Sequence, residues 1–147
     1  MTDEARNADE LLVAVDFSPC SLRGLDAALA WRSGTAELTL LHVLDRGFIE
    51  RTEQLGLGSG EELLARLRTR AEDELAGLVA ERGDARVETM VVVGEPFVEI
   101  AKIARDLACD LIVIGIHGRS AGVAQLLFGG TAERVLRAAP CPVLCVP

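Results

Sequence analysis

Two groups of residues carry chemistry-bearing side chains or turns at informative spacing. Asp16 follows the apolar run LLVAV (11–15) and precedes Ser18-Pro19. A carboxylate there can accept from a hydroxyl or a base nitrogen, or it can cap the helix that follows. The second group lies in GIHGRSAGVAQLLFGGTAERVLRAAPCPVLCV (115–146), where Gly115, Gly118 and Arg119 are followed by Gly129-Gly130-Thr131. Glycine turns let backbone N–H groups approach an anion, a helix start aims more of them at it, and Thr131 adds a hydroxyl. The result is an anion cradle that needs no lysine. Turns that serve chain geometry alone remain the alternative.

Other chemistries find little support. No G-x-x-x-x-G-K-[ST] occurs, so a P-loop lysine is absent. Gly56-Leu57-Gly58-Ser59-Gly60 is G-x-G-x-G and does not open a first βαβ unit, which makes it a linker. A hydrolytic triad can be assembled on paper from Ser18, His42 or His117, and Asp16 or Asp45. Ser18 lies in no G-x-S-x-G elbow, however, and His42 sits inside an apolar strand as a satisfied core or strand-end residue. No catalytic residue is assigned. Two isolated histidines without H-E-x-x-H assign no metal site. Cys20, Cys109, Cys141 and Cys145 form no C-x-x-C and are expected to be buried free thiols in a reducing cytosol.

With 15 basic and 23 acidic residues, the chain carries a formal charge of −8. That balance disfavours nucleic acid and anionic membrane surfaces as partners. Aromatic residues make up only 3% of the chain, so base-stacking platforms are scarce and the core must be aliphatic. Residues 1–10, MTDEARNADE, read as a loose tail before one domain spanning 11–147, and they lack the apolar run of a signal peptide. A cytoplasmic location is expected.

The elements that position these residues alternate from end to end. Strands are expected at 11–15, 36–44, 85–93, 110–115 and 142–146, each short, apolar and rich in β-branched residues. Helices are expected at about 20–32, 60–82, 97–108 and 132–138. In the first, the inward stripe is Leu22, Leu25, Ala28 or Leu29, and Trp31 or Arg32; in the second it is Leu64, Leu67, Ala71, Leu75 and Leu78. Residues 45–60 show no period and read as a loop with at most one helical turn. The pattern βαβαβαβαβ predicts an α/β domain: an open parallel five-stranded sheet, Rossmann-like, with helices on both faces. Ligands of such sheets sit beyond the carboxyl ends of the strands, where the strand order reverses. The last strand, Pro142 to Val146, is apolar and has nothing after it to cover it, so pairing with a second copy would protect it as an edge.

In this order, LLVAVDFSPCSLRGLDAALA, LTLLHVLD, GEPFVEIAKIARDLACDLIVIGIHGRS and GGTAERVLRAAPCPVLCVP resemble the universal stress protein family over residues 11–146. The resemblance implies a commonly dimeric domain, paired through the last strand. One branch of the family holds ATP through G-x-x-G, nine residues and G-[ST]. Carried over, Ala14, Val15 and Asp16 line the adenine and ribose side with Val43 beside the base, and Ile114 and Gly115 close the nucleoside pocket. Gly118, Gly129, Gly130 and Thr131 would hold phosphates, with Arg119 in the same loop. Here ten residues separate Gly118 from Gly129, and Gly130 stands where that branch has Ser or Thr. The expected function is a stress-response protein that binds an adenine nucleotide, ATP with magnesium, as a regulatory ligand with little or slow hydrolysis. The alternative is a dimeric interaction module of the same fold that binds no nucleotide.

Overall fold

The computed structural model describes residues 8–84, 86–117 and 129–147. Five strands, β1 (Glu10–Ala14), β2 (Glu37–Asp45), β3 (Val87–Gly94), β4 (Leu111–Gly115) and β5 (Val143–Val146), form one sheet in the order β3-β2-β1-β4-β5. Every pairing is parallel. The helices are α1 (Pro19–Trp31), α2 (Arg46–Gln54), α3 (Gly60–Arg82), α4 (Pro96–Asp106) and α5 (Gly130–Ala138). The expected Rossmann-like architecture is what the chain adopts.

Because side chains alternate along a strand, β1 feeds two cores at once. Leu11 and Val13, with Val15 just beyond the strand, pack with Leu25 and Ala28 of α1 and Leu75 of α3 on one face. Leu12 and Ala14 pack with Ile100 and Ala104 of α4 and Val135 of α5 on the other. This two-sided burial explains why the strand reads as an unbroken apolar run.

One departure from the sequence reading has a physical cause. Residues 46–54, expected as loop, form α2: Asp45 caps it by accepting the N–H groups of Gly47 (2.9 Å) and Phe48 (3.4 Å), while only Ile49 is buried. A helix that buries one side chain leaves no period to read. At the end of α1 the structure decides between the two inward candidates: Trp31 lies 72% exposed, and Arg32, the C-cap residue, turns inward, its side chain 8% exposed and paired with Asp84.

The four cysteines are free; Cys109 is buried and the other three are half-buried. Burial pushes the Cys109 thiol up to about 12 and also raises those of Cys141 and Cys145. Among the described residues no helix is long and apolar enough to cross a membrane.

Candidate functional site

The strand order reverses between β1 and β4, whose carboxyl ends lie side by side. From β1 the chain enters α1 through Val15-Asp16-Phe17-Ser18. Asp16 Oδ1 accepts the Ser18 N–H at 3.0 Å, and the Asp16 N–H donates to Ser21 Oγ at 3.4 Å. Ser18 caps α1 by accepting the Ser21 N–H at 3.3 Å, and its hydroxyl donates to the His117 carbonyl at 3.4 Å. The turn is tight enough to hold Phe17 at φ 65°, in the left-handed region that costs a residue bearing a Cβ about 1–2 kcal/mol. Such strain persists where the surroundings over-determine it, commonly at ligand sites.

His42, on β2, borders this turn. Its Nδ1 lies 2.7 Å from the Val15 carbonyl, which can only accept, so Nδ1 carries the proton. The ring packs 4.8 Å from Phe17, centroid to centroid. His42 is therefore a satisfied strand residue, as its apolar setting implies. Ser18 and Asp45 are likewise engaged as helix caps, so the paper triad does not assemble around Ser18.

The other wall comes from β4 and α5. The Ile116 N–H donates to the Val146 carbonyl at 2.8 Å, and the Gly129 N–H donates to the Ile116 carbonyl at 2.7 Å. The second bond ties the start of α5 to the end of β4. Gly129 is the N-cap residue and, as a glycine, brings no side-chain cap of its own. The first turn of a helix presents N–H groups that lack intrahelical partners and carry partial positive charge. His117 adds a feature that sequence reasoning missed: its Nδ1 is buried and has no hydrogen-bond partner among the described residues. The only sequence signal was its place just past an apolar strand.

Ala14, Val15 and Ile114 are buried, and Val43 is half-buried beside Ala14 and Ile114 on the α4/α5 face. Gly115 ends β4 where α1 approaches closely. A Cβ built on it would lie 2.8 Å from Ser21 N and 2.9 Å from the carbonyl carbon and Cβ of Cys20. Packing alone thus demands glycine there, whatever its part in binding. Gly129, Gly130 and Thr131 stand at the start of α5. Gly118 and Arg119 lie outside the described residues. The structure brings the Asp16 turn, Gly115 and the 129–131 segment to one end of the sheet. Among the described residues no group of three or more His, Cys, Asp or Glu side chains is placed to hold a metal ion.

The Universal stress protein family matches residues 8–147. Universal stress protein MJ0577 of Methanocaldococcus jannaschii is 30% identical over 93% of both chains, and Universal stress protein YxiE of Bacillus subtilis is 31% identical over 94% of this chain and 98% of its own. The solved structure of MJ0577 superposes with a TM-score of 0.82 at 31% identity, covering 94% of each chain. A universal stress protein solved in complex with cAMP superposes at 0.61 with 25% identity, covering 96% of this chain and 98% of that one.

Proposed function

Because the chain belongs to the universal stress protein family, we propose that it binds an adenine nucleotide, ATP with magnesium, as a regulatory ligand rather than a substrate for fast turnover. One observation carries this reading: the Asp16 turn, the end of β4 and the start of α5 meet at the reversal point of a parallel sheet. In this reading Ala14, Val15, Asp16, Val43, Ile114 and Gly115 line the nucleoside side. Gly118, Arg119, Gly129, Gly130 and Thr131 take the phosphates. The strained Phe17 and the orphaned His117 nitrogen support a site built for a polar occupant, and the relative that holds cAMP supports the adenine class. Slow turnover is part of this reading and is supported by the Ser18 hydroxyl and the His42 Nδ1, which bond to the backbone rather than to each other. We place the protein in the cytoplasm, with residues 11–147 as the body of its domain; of the segment 1–10 read as a tail, Glu10 belongs to the domain as the first residue of β1. It pairs as a homodimer along Pro142 to Val146.

Calorimetric titration with ATP and a magnesium salt tests the reading. Saturable heat below about 1 mM nucleotide is expected. Asp16→Ala should weaken binding about tenfold, the worth of one hydrogen bond to a charged group. No heat at millimolar nucleotide would leave the second reading, a nucleotide-free interaction module. Its own support is the half-buried edge strand β5 and a loop one residue longer than the ATP-binding pattern.

A further inference from the structure

At the opposite end of the sheet, near the amino-terminal end of β1, a cavity of about 180 Å³ lies between the last turn of α1 and the strands. Leu11, Ala28 and Leu144 give it apolar walls, and Trp31, Arg32 and Ser33 line it as well. Arg32 is the unusual member. Its side chain is only 8% exposed, and Nη2 pairs with Asp84, but Nη1 is buried without a hydrogen-bond partner. Ser33 Oγ, on the next residue, is buried and unpartnered too. Two adjacent orphaned donors beside an apolar hollow are costly unless something accepts from them.

The local charge favours an anion despite the net −8 of the chain. Arg86, whose guanidinium donates to the Gly34 carbonyl, stands close enough to Arg32 to depress its basicity, after the larger effect of burial. Asp84 balances only one of the two arginines. Glu10, Glu37 and Glu88 are cross-strand neighbours on the other face of the sheet, because their register partners alternate with Leu11 and Leu38 of the α1/α3 core.

We propose that this cavity binds a small free carboxylic acid with a short apolar chain: the carboxylate accepts from Arg32 and Ser33, and the chain lies against Leu11, Ala28 and Leu144. The size agrees, since an apolar cavity of about 150 Å³ accommodates benzene. A few convergent polar groups in an apolar hollow is the usual form of a small-molecule site. The site is separate from the nucleotide cleft and does not depend on it.

Trp31 is the only tryptophan of the chain and borders this cavity, so its emission gives a local readout of occupancy. The full-length protein is titrated with hexanoate, acetate and hexanol, and calorimetry repeats each titration. Hexanoate should saturate with a Kd tighter than about 1 mM, and acetate, lacking the chain, and hexanol, lacking the charge, should each bind about tenfold more weakly or worse. Arg32→Gln should remove the advantage of the acid over the alcohol. Ala28→Met, which fills the hollow and keeps the charge, should abolish both responses; circular dichroism confirms that each variant folds. Saturating ATP should leave the hexanoate curve unchanged. No saturable response by about 10 mM, acetate equal to hexanoate, indifference to both variants, or competition by ATP would each overturn the proposal.

Discussion

Replacing Gly115 by alanine tests the close packing at the centre of the site. The new Cβ would sit 2.8–2.9 Å from three atoms of Cys20 and Ser21, two of them backbone, so relief requires α1 and β4 to part by a sizeable fraction of an ångström. Neither side yields easily. Ser21 braces the first turn of α1 by donating both its N–H and its hydroxyl to Ser18, and β4 is paired on both edges, to β1 and β5. Overpacking of this kind costs about 1–3 kcal/mol, offset by about 0.4–1 kcal/mol from the stiffer unfolded chain. The net loss of about 1–2 kcal/mol corresponds to a Tm lower by roughly 3–8 °C in a chain of this length. Urea unfolding followed by far-ultraviolet circular dichroism reads it as a lower midpoint at constant slope. An unchanged or raised midpoint would refute the close approach of α1 to β4. Because any shift carries Ser18 and Asp16 with it, nucleotide affinity should fall in the same variant.

Gly77 supplies the opposite case: it is exposed within α3 and an added Cβ meets nothing within 4 Å, so Gly77→Ala should raise stability by about 0.5–1 kcal/mol in the same urea assay. Cys109 keeps its proton in the folded protein up to about pH 12, whereas the unfolded chain releases it near the ordinary value of 9.0. The stabilisation is therefore complete below pH 9 and is lost as pH rises towards 12, so the urea midpoint should fall from pH 8 to pH 10 and fall less in Cys109→Ala. Native Cys109 should also resist iodoacetamide at pH 8, as mass mapping can show. For the proposed dimer, light scattering behind size exclusion should give about twice 15.7 kDa, and Val143→Asp with Val146→Asp should return a monomer. A wild-type monomer at all concentrations, or a dimer in the variant, would remove β5 as the interface.

The centre of the sheet was legible because β1 and β4 are buried on both faces: LLVAV and LIVIG need no context to be read as strands. Their carboxyl ends also pointed to the candidate site, since Asp16 and Gly115 fall where those two runs end. What was not legible depended on tertiary contact. Residues 46–54 hold their helix through the Asp45 cap and one buried Ile49, too little for a periodic signal. The sequence left Trp31 and Arg32 both open as the inward residue, and Asp84, more than fifty residues later, decides for Arg32 by pairing with its guanidinium. Gly115 reads equally well as a ligand-binding or a packing glycine until α1 is seen against it. The orphaned Nδ1 of His117 is a property of burial, and no spacing in the sequence announces it.

The central claim is that adenine nucleotide binds where β1, β4 and α5 converge. Amide shift mapping of the ¹⁵N-labelled protein with ATP and magnesium tests it most directly. The account predicts saturable shifts at Val15 to Ser18, Val43, Gly115 to His117 and Gly129 to Ala132, with Leu11, Arg32 and Leu111 at the far end unmoved. Shifts centred on that far end, or none at saturating nucleotide, would contradict it.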